Sequence, residues 1–261
     1  MPAPTTTVDL EGRNLSRNGT LDILTALVRP TKKTSLIDVH TLGDAAFTTA
    51  NGAGRTLKGI LEDPDVPKYF WDVRNDANAL WSHHRVRLAG VTDVQLLENA
   101  ARRGNKTRLW GLSAAVERHL NPPQELLSPW LQNKKEIAGL MRAGEDVFSC
   151  RPLTDRIVWY CAGDVAHLPA LRGLYAGRLN ARRLERVRVE SVRRVDEACG
   201  PDYEPQSEDK TFGPWGSRKT RPSAARPIAS NCMTSGRSCC RKTVTLGITA
   251  LTLLVGVWNV W

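Results

Sequence analysis

Residues 151–171 have the sequence RPLTDRIVWYCAGDVAHLPAL, and the predicted fold depends on the helical pattern in this stretch. Its apolar residues recur at steps of three and four, which is typical of one face of an α-helix. Tyr160 and Asp164 lie four residues apart, so they share that face one turn apart. A carboxylate on an apolar face needs a partner, because burying an unpaired charge is costly. The pattern predicts either that Asp164 is exposed or that it meets a cation.

A second pair of polar residues follows the β-branched run Thr5–Val8 near the start of the chain. This run predicts a short strand that leads into Asp9 and Glu11. Because residues at i and i+2 point to the same face of a strand, the two carboxylates converge. They repel one another unless a cation or a proton intervenes. An exposed strand with two solvated acids is the alternative interpretation.

A further acidic residue, Asp76, follows a predicted strand at Lys68–Trp71. It lies in the first turn of a predicted helix over Asn75–His83. Open α/β sheets place ligand-binding groups at such strand ends. The alternative is that Asp76 stabilises the amino terminus of its helix through the helix dipole.

These three motifs, in this order, resemble those of the DEDD superfamily of 3′–5′ exonucleases, in the subclass with a tyrosine in its last motif. The first motif is Val8–Glu11, the second lies in Lys68–Leu80, and the third is Tyr160–Asp164. Within the superfamily, the chain is most similar to domains related to ribonuclease D and the Werner-type exonuclease. The resemblance covers roughly Val8–Arg178.

The resemblance implies an α/β chain with a ribonuclease H-like fold, in which helices flank a mixed five-stranded sheet. It also implies a 3′–5′ exonuclease that hydrolyses single-stranded nucleic acid from the 3′ end and releases 5′-mononucleotides. Two divalent cations, Mg²⁺ or Mn²⁺, would be held by Asp9, Glu11, Asp76 and Asp164, and Tyr160 would orient the attacking water. Some relatives have lost carboxylates, so a catalytically inert nucleic-acid-binding adaptor is the alternative function.

The predicted sheet opens with three antiparallel strands. Asn18-Gly19 is a strong signal for a type I′ hairpin turn. It would join the first strand to an apolar strand within Thr20–Arg29, and Thr34–Val39 would follow as the third.

The surface residues of the helical region over 105–148 have two interpretations. Lys134 and Lys135 could contact phosphates, but we expect them to be solvated. Trp110 and Trp130 could stack on bases, but tryptophan at helical spacing more often packs in a core.

The charge of the chain favours a polyanionic partner, which would be nucleic acid or an acidic membrane surface. The net charge is +10 and the pI is near 9.6. Between Arg178 and Lys242 there are 15 basic and 8 acidic residues, so most of the excess lies there. This basic stretch could be a solvated tail or a binding arm, and the sequence leaves both interpretations open. The expected partner is DNA or RNA with a 3′ end.

The resemblance, for the first region, and the composition, for the others, predict four regions. Residues 1–178 form the exonuclease domain, and 179–198 form a basic helical extension that continues the helix of the third motif. Residues 199–242 are rich in Pro, Ser, Gly, Arg and Lys, which predicts a disordered linker. Residues 243–261 are uncharged, and as a helix they would span about 28 Å, close to the roughly 30 Å of a bilayer core. This last region could be a tail anchor that contacts a membrane or a hydrophobic docking tail, and the sequence leaves both interpretations open.

The first residues, MPAPTTTVDLEG, contain no apolar core of a signal peptide. None of the six cysteines forms a Cys-x-x-Cys motif or has a histidine at zinc-like spacing. We therefore expect an intracellular protein of the nucleus or cytoplasm, held at an internal membrane if residues 243–261 insert.

Overall fold

The computed structural model describes residues 5–216 and the backbone of residues 257–260. Five strands form the mixed sheet that was predicted, in the order β5-β4-β1-β2-β3. They are β1 Thr5–Glu11, β2 Ile23–Arg29, β3 Lys33–Asp38, β4 Lys68–Phe70 and β5 Val91–Asp93. The central strand β1 pairs antiparallel with β2 and parallel with β4. A sixth strand, β6 at Val257–Val260, pairs antiparallel with β3 at the sheet edge.

Helices cover both faces of this sheet. They are α1 Val39–Leu42, α2 Ala45–Thr48, α3 Leu57–Glu62, α4 Arg74–His84, α5 Val94–Ala101, α6 Leu112–His119, α7 Gln124–Arg142, α8 Asp155–Ala166, α9 Leu168–Ala176 and α10 Ala181–Cys199. The predicted α/β fold with flanking helices is therefore confirmed.

The alternation of side chains along β1 separates two layers of the core. Val8 and Leu10 are buried in a cluster that includes residues of α4 and α10. Asp9 and Glu11 have the opposite parity, so they face the layer that contains α8. Ile23, which pairs with Glu11, packs there with residues of α7 and α8. Because side chains alternate along a strand, β1 places Val8 and Leu10 in one layer and its two acids in the other.

The connection between β1 and β2 differs from the predicted tight turn. The two strands do form an antiparallel hairpin, but the loop extends over residues 12–22. A type I′ turn at Asn18-Gly19 would require positive φ at both residues, and neither has it; Asn14 does, at φ 50°. Gly19 is required for a different reason. A Cβ there would lie 2.1 Å from the carbonyl oxygen of Arg13.

The helix of the third motif does not continue past Arg178, contrary to the prediction. Two breaks divide the predicted long helix into α8, α9 and α10. Pro169 lies in the first turn of α9, where a missing N–H is tolerated. The side chain of Asn180 accepts a hydrogen bond from the Arg183 N–H and starts α10 as a new helix. α10 then packs its apolar stripe against α4 and β5.

The segment after α10 lies against the domain as far as the description extends. Glu208–Thr211 forms a 3₁₀ helix, and the Tyr203 hydroxyl donates to Asn75 Oδ1 at 2.8 Å. Residues 217–242 of the predicted linker lie outside the described residues.

Most of the apolar segment 243–261, which was predicted as an anchor or docking tail, also lies outside the described residues; its part 257–260 is the strand β6. Within residues 5–216 and 257–260, no helix combines the length and apolarity needed to cross a membrane.

Candidate active site

Three carboxylates meet at the carboxyl end of β1. Asp9 and Glu11 come from the strand, and Asp164 comes from α8, which packs across β1 and β2. One carboxylate oxygen from each residue lies within 4.8 Å of the other two. The spacings seen in the sequence thus bring together the acids of the first and third motifs. We call these three residues the acidic cluster.

The acidic cluster is electrostatically strained when nothing is bound. Burial, and then the charge of Asp164, raises the pKa of Asp9 to about 7. Burial, and then the charge of Asp9, raises the pKa of Glu11 well above its usual value. The pKa of Asp164 is also raised by burial. The three groups therefore cannot all stay ionised without added positive charge.

Part of that positive charge comes from Lys134 on α7. Its Nζ donates to Asp164 Oδ1 at 2.6 Å and Oδ2 at 2.5 Å. Its charge also lowers the pKa of Asp9 and Glu11, against the larger effect of burial. The prediction that Lys134 is a solvated lysine is wrong. One ammonium balances one carboxylate, so the other two still require a cation or a proton.

The sequence did contain a signal for Lys134. Leu127, Trp130 and Ile137 are buried on one face of α7, and Lys134 lies on that same face at steps of three and four. A lysine on an apolar helix face needs a partner for the same reason as Asp164. Lys135, one residue on, is exposed.

Close packing of α7 on α8 holds Lys134 in reach of Asp164. Trp130 is buried, as expected for a core residue, and its indole lies over Gly163. A Cβ at Gly163 would lie 2.7 Å from Trp130 Nε1. Glycine is therefore needed next to Asp164, so that the helix bearing Lys134 can approach.

Tyr160 lies one turn before Asp164 on α8 and borders the acidic cluster. The Lys134 Nζ lies 4.8 Å from the centre of its ring, and Phe148 packs against it with ring centroids 5.9 Å apart. The charge of Glu11, followed by burial, raises the pKa of Tyr160 strongly. The phenol therefore stays protonated and keeps a hydrogen-bond donor beside the carboxylates.

Asp76 lies near this group but outside it. It occupies the first turn of α4, as predicted, and is buried. Burial, and then the charge of Asp9, raises its pKa well above the usual range. It is not one of the three residues whose oxygens lie within 4.8 Å of one another. The structure therefore places Asp76 where it interacts with Asp9 but not in the acidic cluster.

Two buried acids outside the site, Asp93 and Glu98, have arginine partners, whereas Asp9 does not. The Asp93 carboxylate accepts from Arg194 at 2.6 Å, and Glu98 pairs with Arg102. By contrast, Asp9 Oδ2 is buried and has no hydrogen-bond partner in the structure. Oxygen ligands with unbalanced negative charge suit a hard divalent cation. The residues present thus fit a metal centre.

The comparisons with known proteins agree with this geometry. A family model described as 3′–5′ exonuclease matches residues 3–173, a range that contains every predicted site residue. The search of curated proteins found no match.

Several solved structures share the fold. Trypanosoma brucei RNase D with GMP has 22% identity and a TM-score of 0.61, covering 75% of this chain and 58% of that chain. The same RNase D with RNA U12 has 22% identity and a TM-score of 0.62, covering 76% and 64%. Brucella melitensis NrnC with bound Mg²⁺ has 16% identity and a TM-score of 0.54, covering 75% and 85%. This chain thus spans less than two thirds of either RNase D chain.

Proposed function

Because the chain belongs to the 3′–5′ exonuclease family, we propose that it hydrolyses phosphodiester bonds of single-stranded nucleic acid from the 3′ end and releases 5′-mononucleotides. The observation that carries this proposal is the acidic cluster with its unpartnered Asp9 oxygen beside Tyr160. DNA and RNA are both candidate substrates, because a site built of carboxylates recognises phosphate and carries no group assigned to the 2′-hydroxyl.

The proposed cofactors are two divalent cations, Mg²⁺ or Mn²⁺. Asp9 would contribute to both sites, Glu11 and Asp164 to one, and Asp76 to the other. When bound, two such ions neutralise the phosphate and stabilise the attacking and leaving oxygens. Burial, and then the charge of Asp9, raises the pKa of Asp76. A cation between the two carboxylates would relieve their repulsion, which supports the shared role.

The proposed role of Tyr160 is to orient the attacking water. Its hydroxyl forms no hydrogen bond with the described residues, while its ring is held against Phe148. A fixed ring with an available hydroxyl suits positioning, which contributes through geometry more than through proton transfer. The Lys134 Nζ lies 4.8 Å from the centre of the same ring and adds positive charge beside it.

A second candidate function, a nucleic-acid-binding adaptor without catalysis, is favoured by one observation. The ammonium of Lys134 already contacts both oxygens of Asp164. A lysine that stays there would take the place of a cation and leave the acidic cluster unable to load metal.

The test uses the purified chain with Mg²⁺ or Mn²⁺ and 5′-labelled single-stranded DNA and RNA. We expect a ladder that shortens from the 3′ end, and release of mononucleotides from a 3′-labelled strand. Asp9→Asn serves as the inactive control for contaminating nucleases. Oligonucleotide binding without shortening in either metal would favour the adaptor instead.

A matched substitution at Tyr160 separates positioning from folding. Tyr160→Phe keeps the ring contact with Phe148 but removes the hydroxyl, so turnover should fall by about 10²–10⁴-fold. Metal binding, followed by calorimetry with Mn²⁺, should stay close to wild type. If turnover of Tyr160→Phe equals that of wild type, the hydroxyl has no role in the reaction.

A further inference from the structure

A large basic cavity lies away from the acidic cluster. Its volume is about 1230 Å³, and it is lined by the end of α5, the loop after it, the end of α6, the residues between α9 and α10 and the first turn of α10. Seven lysine and arginine side chains line it and no carboxylate does. We call it the basic pocket. Its volume exceeds the roughly 300–1,000 Å³ of typical small-ligand pockets.

The positive charge of the basic pocket is poorly balanced within the protein. Arg102 pairs with the buried Glu98, but Arg103, Arg178 and Arg183 are exposed and have no ion pair among the described residues. Further along α10, Arg188, Arg193 and Arg194 do have such partners, whereas Arg186 has no ion pair among the described residues. Arg188 pairs with Glu185 at 2.6 Å, and Arg193 pairs with Glu190 at 2.5 Å. The unbalanced charge of this basic helix thus lies in its first two turns, next to the basic pocket.

Repulsion between like charges acts on two groups of the basic pocket, Lys106 and His119. Burial, and then the charges of Arg183 and Arg102, lowers the pKa of Lys106. Burial also lowers the pKa of His119, and nearby arginines add to this effect. A bound anion would relieve this repulsion, because opposite charge favours the charged form of each group.

The one tryptophan of the basic pocket is already in contact with cationic side chains. The guanidinium carbons of Arg102 and Arg118 lie 4.3 Å and 4.6 Å from the Trp110 ring centre. The His119 ring stacks on it with centroids 5.4 Å apart. Trp110 therefore serves to hold these groups in place and is not free to stack on a base. The basic pocket is built to contact phosphates, with no platform for reading bases.

The basic pocket and the acidic cluster are separated along α5. Helix α5 begins directly after the carboxyl end of β5, and because β5, β4 and β1 are parallel, this end lies on the same side of the sheet as the carboxyl end of β1, where the acidic cluster is. It is eight residues long, or about 12 Å at 1.5 Å per residue, and the basic pocket begins at its far end. A nucleic acid must therefore be several nucleotides long to contact both places.

We propose that the basic pocket is a second nucleic-acid contact, which binds the phosphate backbone of a single strand several nucleotides away from the end held at the acidic cluster. The inference rests on the proposed function for the identity of the strand. It assigns the contact to Arg103, Arg178 and Arg183, whose charges are exposed and unbalanced. Because phosphates are contacted and bases are not, the contact adds affinity without sequence preference.

The experiment compares wild type with Arg103→Gln/Arg178→Gln/Arg183→Gln in binding single-stranded oligonucleotides of about 20 and about four nucleotides, either side of usual site sizes. A chelator prevents hydrolysis, and affinity is measured across a salt series. The triple variant should bind the longer strand roughly ten-fold more weakly, with a salt slope smaller by about 2, or about 0.7 for each lost contact. Binding of the shorter strand should not change.

The matched control removes three exposed charges from the far side of the sheet, in Arg29→Gln/Lys32→Gln/Lys33→Gln. Equal effects of the two triple variants would overturn the proposal, because a general loss of charge would then explain them. An unchanged affinity and slope in the pocket variant would overturn it as well. Tripolyphosphate binding is measured in the same variants. If the pocket variant loses tripolyphosphate binding but binds the longer strand as wild type does, the basic pocket is a site for a small polyphosphate and the proposed strand contact is overturned.

Failure of this inference is distinguishable from failure of the proposed function. If wild type hydrolyses the longer strand and the pocket variant matches it in affinity and rate, only the inference fails. If wild type hydrolyses nothing but binds the longer strand through the basic pocket, only the exonuclease proposal fails. Circular dichroism melting of each variant checks folding, and the single change Arg183→Glu, at an exposed position, provides an independent test of the salt slope.

Discussion

The acidic cluster and the basic pocket both concentrate charges of one sign, yet the protein treats them differently. In the acidic cluster the pKa of Asp9 reaches about 7, and a lysine on a buried helix face is placed against Asp164. In the basic pocket, Arg103 and Arg183 remain exposed and rely on water. Desolvation makes like charges expensive, whereas solvated like charges cost little. The first site therefore requires a cation or protons, and the second only attracts an anion.

The largest expected effect comes from removing one carboxylate of the acidic cluster. Asp9→Asn and Asp164→Asn should each lower the rate of 3′–5′ hydrolysis by roughly 10³-fold or more, and the double variant should lose little beyond that, because the ligands act as a unit. The rate is followed with a 5′-labelled strand under saturating Mn²⁺. Wild-type rates in both single variants would assign any activity to another site.

The next effect concerns the internal cation of the acidic cluster. In metal-free protein at pH 8, Lys134→Met should lower the free energy of unfolding by about 3 kcal/mol, because a buried carboxylate loses its partner. The loss should shrink at pH 5, where protons replace the ammonium, and also when Mg²⁺ is added. Urea denaturation measures it. Lys135→Met, at the exposed neighbouring position, is the matched control, and equal losses in the two variants would contradict the assigned role.

The pH dependence of the free energy of unfolding tests whether the Asp9 carboxylate requires a cation or a proton. Its folded pKa, about 7, lies above the usual 3.8, so the folded state holds the proton more tightly. This contribution is present below about pH 3.8 and is lost as pH rises through about 7. In metal-free protein, the free energy of unfolding should therefore fall over this window, and Asp9→Asn should flatten the fall.

Asp38 serves as a control, because its pKa is shifted in the opposite direction to the pKa of Asp9. Burial opposes its ionisation, but hydrogen bonds from Arg151 and Thr41 outweigh this and lower its pKa. Its contribution is present above the usual pKa and is lost as pH falls through the lowered value. Asp38→Asn should therefore reduce stability at neutral pH without flattening the fall near pH 7. If the free energy of unfolding falls by the same amount with rising pH in Asp9→Asn and in wild type, Asp9 is not the cause of that fall.

The smallest effect is expected in the basic pocket. Arg183→Gln should raise the free energy of unfolding by only a few tenths of a kcal/mol at low salt, since it relieves repulsion between exposed charges. At high salt the gain should vanish, because screening already removes that repulsion. Thermal melting at two salt concentrations measures it. Arg188→Gln, which breaks the pair with Glu185, should have the opposite sign at low salt.

The sequence predicted those parts of the site that depend on local periodicity. Asp9 and Glu11 share a face because strands repeat every two residues, and Tyr160 and Asp164 share one because helices turn every 3.6. The strand predicted at Lys68–Trp71 is present as β4 at Lys68–Phe70. These features need only a few neighbouring residues to be determined.

The parts that were missed depend on contacts between distant segments. Lys134 and Asp164 are thirty residues apart in the chain, and the fit of Trp130 over Gly163 decides that they meet. The basic pocket draws on four separate elements, so no single stretch of sequence displays it. The break before α10 was visible in principle, because Asn180 is a good helix cap, but the continuing run of arginines and apolar residues favoured one long helix.

The placement of β1 in the middle of the sheet determines which changes of chain length the protein can tolerate. Ladders on both sides fix its register, with Asp9 opposite Thr25 and Thr7 opposite Tyr69. Insertion or deletion of one residue before Asp9 would exchange the two faces, so that Leu10 would point at Asp164 and the acids into the apolar layer. The loop over 12–22 lies beyond both acids, so a change in its length, unlike a change in the length of β1, does not by itself exchange the faces of the strand.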